Sequence, residues 1–219
     1  MRVNFSLSPN YKRLVPFNYQ QQLTGRIHRW LGPNAAHDSI SLYSVSWLGP
    51  GDVRSGALNF PRGTMFHVSA AQDDLLADIM EGLQVERDVN WGMQVTGILP
   101  QRTPEFGTVA RFRMQSPVLI KRKTQDGQTQ FYYYDNPESD ALMTETLHTK
   151  MKVAGIEGEI QLRFDREARG SRLKMTTYRG INNKASYCPV IAEGDPHCIA
   201  FAWNVGIGNS TGIGFGAIK

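Results

Sequence analysis

The chain has 219 residues, enough for two domains of about 100 residues each or for one larger domain. Hydrophobic residues make up 41% and charged residues 20%, which excludes a disordered chain, and no apolar run is long enough to predict a membrane-spanning helix. The net charge of +4 is uneven: residues 1–100 carry 8 basic and 8 acidic residues, and residues 101–219 carry 16 and 12. A basic second half favours a polyanionic partner such as a nucleic acid, although a solvated surface would look the same.

The first residues and the two cysteines indicate the cellular compartment in which the protein is expected. Residues 1–5 alternate polar and apolar side chains and lack the apolar block of a signal peptide. Cys188 and Cys198 are too few to form a disulfide framework in a chain of this length. We therefore expect a cytoplasmic protein with free thiols and no membrane association.

The first half predicts the order β-α-β-β-α-β. The elements in chain order are an alternating strand at 3–7, a helix with apolar residues at helical spacing at 18–31, strands at 39–47 and 64–70, a short helix at 73–82 and an extended segment at 89–99.

The second half predicts a similar order, less cleanly. The elements are a long strand at 109–120 bent at Pro117, a hairpin turn at Asp126-Gly127, a strand at 130–134, a helix from Pro137 to Gly155, strands at 159–164, 172–178 and 185–191, a helix that starts at Asp195 and Pro196 and ends at Gly206, and a short strand at 213–218. Two such units predict an α+β protein with two tandem ferredoxin-like domains, each with an antiparallel sheet. We place the domains at 1–103 and 104–219.

The clearest motif is the glycine segment, residues 206–216, which holds five glycines in eleven residues. Its spacing fits neither a dinucleotide-binding fingerprint nor a Walker loop. Backbone without side chains can approach a ligand closely, and exposed amide N–H groups form a nest for an anion. The competing interpretation is a flexible turn before an edge strand.

The glycine segment resembles the C-terminal signature of the CRISPR-associated repeat-cleaving endoribonucleases of the RAMP superfamily. Other stretches resemble segments of the same family: Ser116-Pro117-Val118, the helix at 147–152, and the stretch from His37 to Leu48. The resemblance implies a double ferredoxin-like fold, which agrees with the order of elements.

The resemblance also implies cleavage of CRISPR repeat RNA into mature guide RNAs, without a metal. An RNA 2′-hydroxyl attacks the neighbouring phosphate, so the enzyme has to move two protons and stabilise negative charge. A histidine suits the proton transfers. We expect His37 to be catalytic, with Tyr43 and His28 as further candidates. No cofactor is expected, and Cys188, His197 and Cys198 are a poor zinc set because Cys198 lies among apolar residues.

The sequence departs from the family at one point. Many members place a lysine shortly after the catalytic histidine, but residues 37–48 contain no Lys or Arg. Charge stabilisation then has to come from Arg26, Arg29, a cation of the second half or the amides of the glycine segment. This departure keeps an alternative open: a non-catalytic RNA-binding RAMP subunit that holds repeat or guide RNA in a complex.

RNA binding is predicted at the basic and glycine-rich parts of the second half. Arg172, Lys174 and Tyr178 alternate on one face of a strand, a pattern that suits phosphate contact and base stacking, although a solvated edge strand would also carry it. The predicted RNA-binding residues are Arg26, Lys121, Arg122, Arg172, Lys174, Tyr178, Gly206, Gly208, Asn209, Ser210, Gly212 and Gly214. The expected partners are CRISPR repeat RNA and other subunits of an effector complex, and a homodimer is left open.

Overall fold

The computed structural model describes residues 1–11, 13–32 and 40–219. It confirms the predicted fold class, an α+β chain with antiparallel sheets and two ferredoxin-like halves. The elements of the first half are β1 (Arg2–Leu7), α1 (Gln20–Leu31), β2 (Tyr43–Val45), β3 (Asp52–Arg54), β4 (Ala57–Asn59), β5 (Thr64–Ala70), α2 (Asp73–Val85), β6 (Asp88–Asn90) and β7 (Met93–Gln101).

The first sheet has the strand order β2-β5-β1-β7-β6, and its strand pairs are antiparallel. Alternation in β1 turns Val3, Phe5 and Leu7 into one core, as the period of two predicts. The apolar stripe of α1, which includes Ile27 and Trp30, joins the same core. The predicted strand at 39–47 is shorter than expected, because Trp47 N leaves the sheet to donate to Gln115 O, 3.3 Å away in the second half.

The second half contains more strands than the sequence predicted. Its elements are β8 (Val109–Phe112), β9 (Ile120–Lys123), β10 (Thr129–Tyr132), α3 (Glu138–Ala154), β11 (Ile160–Phe164), β12 (Arg172–Tyr178), β13 (Ile181–Tyr187), β14 (Val190–Gly194) and α4 (Pro196–Val205). The predicted start of α4 is confirmed, with Asp195 at the N-cap position and a proline in the first turn. The Asp195 carboxylate does not cap the helix but accepts a hydrogen bond from Glu159 N at 2.8 Å.

The second sheet has the order β11-β14-β8, and residues 217–219 extend it beside β8 through paired backbone hydrogen bonds between Arg113 and Lys219. The predicted strand at 109–120 is wrong. It is broken into β8 and β9, because Pro117 has no N–H for a ladder and Ser116 Oγ instead accepts a hydrogen bond from Ala217 N at 2.8 Å. Pro189 breaks the predicted strand at 185–191 in the same way. The predicted last strand begins as a short 3₁₀ helix, Thr211–Ile213.

Each half has its own apolar core. One cluster runs from Val3 to Val95, and the other runs from Phe112 to Ile218. The boundary between residues 103 and 104 lies between these clusters and stays a prediction. Among the described residues, no helix is both long enough and apolar enough to span a membrane.

A buried arginine joins the two halves. The Arg2 guanidinium donates to Ser69 Oγ at 2.9 Å and to Ile218 O at 2.6 Å, and it stacks on the Trp203 ring at 3.7 Å from the centroid. Ile218 and Trp203 belong to the second half. Strand β1 is therefore fixed to the second half by a desolvated charge.

A buried lysine makes the second connection. Lys150 Nζ on α3 donates to Val205 O, Gly206 O and Thr211 Oγ1 at 3.2, 3.4 and 3.0 Å, and Thr211 Oγ1 donates to Tyr43 O at 2.7 Å. We call this chain of hydrogen bonds the Lys150–Thr211–Tyr43 link. None of these three acceptors of Lys150 is a carboxylate, and burial lowers the pKa of Lys150 to about 7.

This pKa predicts how stability depends on pH. In the unfolded chain the lysine titrates near 10.4, so between pH 7 and 10 the unfolded state binds more protons than the native state. The free energy of unfolding should therefore rise with pH in this window, with a contribution from Lys150 of up to about 1.4 kcal/mol per pH unit. Urea unfolding at pH 7, 8 and 9 measures it.

The Lys150→Met variant should lose this contribution, whereas Lys152→Met, which removes an exposed lysine of the same helix, should keep it. An equal pH slope in Lys150→Met and in the unmodified protein would contradict the prediction.

Candidate nucleic-acid interface and catalytic site

The glycine segment packs against the strand that follows residue 40. A Cβ on Gly212 would lie 2.7 Å from both Ser41 Oγ and Tyr43 Oη, and a Cβ on Gly206 would lie 2.7 Å from Ser44 Cβ. Trp47 Nε1 donates to Gly214 O at 2.7 Å. The end of the second half is thus seated on β2 and its flanks, close in sequence to His37.

The glycines serve two different purposes. Gly206, Gly208, Gly214 and Gly216 have positive φ angles of 72°, 80°, 94° and 62°, which favour glycine. Gly212 has an ordinary φ, and a side chain there is excluded by the contacts with Ser41 and Tyr43. Gly206, Gly208, Gly212, Gly214 and Gly216 are all buried, so the segment is a packed connection.

The outer surface of the segment is its tip. Asn209 and Ser210 are partly exposed. Asn209 N donates to Leu119 O at 2.8 Å, and its Oδ1 accepts from Lys121 N at 2.9 Å, so the tip is fixed beside the start of β9. Lys121 is next to this tip, and burial, followed by the charge of Lys123, lowers its pKa. Of the predicted RNA-binding residues, Lys121, Asn209 and Ser210 therefore lie next to one another.

The three catalytic candidates differ in how well the structure describes them and in how deeply they are buried. His37 lies outside the described residues. Tyr43 is buried on β2 beneath the glycine segment, and burial together with the neighbouring Tyr178 raises its pKa to about 12. Its phenol therefore stays protonated at neutral pH and is suited to donating a hydrogen bond, not to accepting a proton as a base. His28 lies on α1 and is partly buried.

The ribbon β12–β13 reaches across to the first half. Tyr178 Oη lies 3.2 Å from Thr24 Oγ1, and Arg179 N donates to Gln21 Oε1 at 3.1 Å. Both partners are on α1. Tyr178 and Tyr43 are thereby brought to the same side of the junction between the halves, as candidates for one site.

Two predicted RNA-binding arginines are engaged in protein contacts. Arg26, only 11% exposed, pairs with Glu86 at 2.5 Å and Asp88 at 3.3 Å, which fixes α1 to the chain around β6. Arg122 donates to Leu142 O at 2.7 Å and pairs with Glu145 at 3.0 Å. Their RNA contacts stay predictions, and each would compete with these bonds.

Arg172 lies in a basic pocket that sequence reasoning largely missed. The Arg172 guanidinium is exposed and stacks over Tyr187, 4.8 Å from the ring centroid, whereas Lys174 is partly buried. A cavity of about 430 Å³ opens beside Arg172. Its basic lining side chains are Arg111, Arg113, Arg169, Arg172 and Lys219.

The sequence contains only part of the information needed to predict this basic pocket. Arg111 and Arg113 alternate along one strand and its extension, which predicts a shared face. Lys219 joins them only because residues 217–219 pair with residues 113–115, a pairing at a separation of about 100 residues that no local pattern reveals. Arg111 also pairs with Asp165 at 2.7 Å.

Solved structures share this architecture over the whole chain. A protein characterised as Cas6-related from Pyrococcus furiosus has a TM-score of 0.87 at 17% identity, with 100% of this chain and 97% of that chain covered. A RAMP protein described as binding different RNA substrates has the same TM-score and identity, with 100% and 98% covered. A Cas6 product complex has a TM-score of 0.70 at 13% identity, with 100% and 99% covered.

At these identities the likeness shows the fold, which is that of the tandem ferredoxin-like proteins. A comparison with curated proteins finds no match. The family model described as CRISPR associated protein Cas6, C-terminal, matches residues 101–219. Since this match spans more than half of the chain and includes the glycine segment, the chain belongs to the Cas6 family of CRISPR-associated proteins.

Proposed function

We propose that the protein is an endoribonuclease that cuts CRISPR repeat RNA in precursor transcripts by attack of a 2′-hydroxyl, which needs no metal-activated water. The observation that carries the proposal is the seat of the glycine segment on β2. It brings the family's signature against the chain that directly follows His37.

The proposed reaction forms a bond between the 2′-oxygen and phosphorus and breaks the bond to the 5′-oxygen. The products are a 2′,3′-cyclic phosphate and a 5′-hydroxyl. His37 carries the proton transfer, because an imidazole titrates close to neutral pH. Negative charge that develops on the phosphate is stabilised by hydrogen-bond donors and cations. Tyr43 supplies a protonated phenol, and the partly exposed tip of the glycine segment, Asn209 and Ser210, supplies further hydrogen-bond donors.

The basic pocket and the glycine segment are suited to one RNA strand. Residues 217–219 connect them, and three residues of extended chain span roughly 10 Å. Exposed cations around Arg172 can contact phosphates, and the stacking of Arg172 on Tyr187 holds its guanidinium at this pocket. Lys121, Asn209 and Ser210 are the proposed contacts at the other end.

A second candidate function is a non-catalytic RNA-binding subunit of an effector complex. The observation that favours it is the lack of Lys and Arg in residues 37–48, together with the protein contacts that already engage Arg26. Incubation with the protein's own repeat RNA in EDTA separates the two, since only the enzyme yields cyclic-phosphate product.

The first prediction concerns His37→Ala. Removal of the proton-transfer group should lower the single-turnover cleavage rate by about 10²–10⁴ and leave the Kd for repeat RNA nearly unchanged. Cleavage is measured on repeat RNA, and binding is measured on the same RNA with a 2′-deoxy nucleotide at the scissile position.

His28→Ala is the matched control and should keep most of the activity. Full activity in His37→Ala, or loss of activity only in His28→Ala, would move the proton transfer away from residue 37.

A second prediction concerns the basic pocket. The double variant Arg113→Ala with Arg172→Ala removes two phosphate contacts, so the slope of log K against log salt should become shallower by roughly 1.4 for a single strand. The measurement is the Kd of repeat RNA at four salt concentrations.

Arg54→Ala with Arg62→Ala removes the same charge from exposed sites in the first half and should leave the slope unchanged. Equal slopes in both double variants would exclude the pocket from the RNA path.

The third prediction concerns Gly212→Val, which places a side chain into Tyr43 and Ser41. Overpacking of about 1–3 kcal/mol should lower the Tm by roughly 2–12 °C in a chain of this size. Thermal unfolding measures this effect. Because the glycine segment is shifted from β2, the cleavage rate per folded molecule should also fall.

Gly107→Ala is the control, since nothing lies within 4 Å of a Cβ there. An unchanged Tm in Gly212→Val would contradict the packing, whereas an unchanged cleavage rate with a lowered Tm would remove the segment from the catalytic site.

A further inference from the structure

Three metal-ligating side chains of different types converge at the start of α4. One oxygen, nitrogen or sulfur atom from each of Asp195, His197 and Cys198 lies within 4.8 Å of those of the other two. Cys188, which the sequence had grouped with them, is not part of this cluster. Asp195 is the N-cap of α4, and His197 and Cys198 follow in its first turn. The loop at residues 157–159, between α3 and β11, closes the other side.

The loop packs closely on the three donor atoms because residue 158 is a glycine. A Cβ on Gly158 would lie 2.6 Å from Cys198 Sγ, 2.8 Å from Asp195 Oδ2 and 2.9 Å from His197 Nε2. The three donor atoms therefore all face the backbone of Gly158, and no side chain fits between them and the loop. The φ of Gly158 is +135°, so this backbone also disfavours any side chain.

The distances fit a borderline-soft cation. Cys198 Sγ lies 3.5 Å from His197 Nε2. Zn–S and Zn–N bonds of about 2.3 and 2.0–2.1 Å at a tetrahedral angle place sulfur and nitrogen about 3.5 Å apart. A thiolate, an imidazole and a carboxylate are ligands of Zn²⁺ and of its relatives, whereas Mg²⁺ and Ca²⁺ prefer oxygen alone.

Hydrogen bonds already hold the donors in position. Glu159 N donates to Asp195 Oδ2 at 2.8 Å, and His197 Nε2 donates to Glu157 O at 2.7 Å.

We propose that Asp195, His197 and Cys198 form a structural site for Zn²⁺ or a related divalent transition-metal ion. On binding, the Cys198 thiol releases one proton to solvent and the sulfur–metal bond forms. His197 moves its ring proton from Nε2 to Nδ1 through solvent and leaves Glu157 O. No electrons are transferred. Water or the freed Glu157 carbonyl completes four-coordination.

With the Glu157 carbonyl as the fourth ligand, the metal would hold the loop at 157–159 against the start of α4. It lies at the opposite end of α4 from the glycine segment, and ten helical residues span about 15 Å. The metal is therefore expected to act on the stability of the second half and not on the chemistry of RNA cleavage.

The test is a Co²⁺ titration of the metal-stripped full-length protein under a phosphine reductant and without chelator. The unmodified protein should bind one equivalent and show a thiolate-to-cobalt charge-transfer band, and Zn²⁺ should displace Co²⁺ and raise the Tm. Cys198→Ser should abolish the band. His197→Ala, an exposed change that leaves the core intact, should weaken binding by more than the 10–100-fold typical of outer-shell changes.

Cys188→Ser is the matched control and should keep the band and the stoichiometry. No thiolate band in the unmodified protein, a band that persists in Cys198→Ser, or a band lost in Cys188→Ser would overturn the site. RNA cleavage in EDTA is read separately, so failure of the metal site and failure of the endoribonuclease proposal are distinct results.

Discussion

The arrangement of the candidate site depends on the Lys150–Thr211–Tyr43 link. The amine of one lysine gathers the carbonyl that ends α4, the carbonyl of the first glycine and the hydroxyl of Thr211, and that hydroxyl in turn holds the backbone of β2. A buried amine without a carboxylate is expensive to maintain, so its presence at this position indicates a demand on geometry. The glycines then let the two halves meet at backbone distance. Together with the hydrogen bond from Trp47 Nε1 to Gly214 O, the link fixes the position of the segment relative to β2.

Much of the fold could be predicted because its signals are local. Pro196 behind an N-cap and Gly155 at a helix end determine where helices start and stop, and alternation in β1 determines which side chains are buried. The strands of the second half were predicted less well. Alternation predicts one continuous strand in each of two apolar stretches that Pro117 and Pro189 in fact interrupt. Periodicity also carries no information about which strand residues 217–219 pair with.

The candidate site was predicted in outline and missed in its details. The glycine segment was recognisable by composition, but its spacing could not show that Gly212 is needed for contact with Tyr43 and not for its own φ. Arg26 resembles a free cation in the sequence, and only the fold brings Glu86 and Asp88 to it. Lys150 was missed although its spacing from Met143 and Leu147 places it on the buried face of α3, because a lysine is rarely buried at such a position.

The buried guanidinium of Arg2 has a consequence for the order in which the protein folds. Its acceptor Ile218 O is 216 residues away in the sequence, so this hydrogen bond forms only when both halves are present. The first sheet can assemble earlier, with Arg2 bonded to Ser69 Oγ of its own half and still open to water. Docking of the second half then expels this water. Association of the two halves, rather than folding of either half alone, is thus the step that closes the junction.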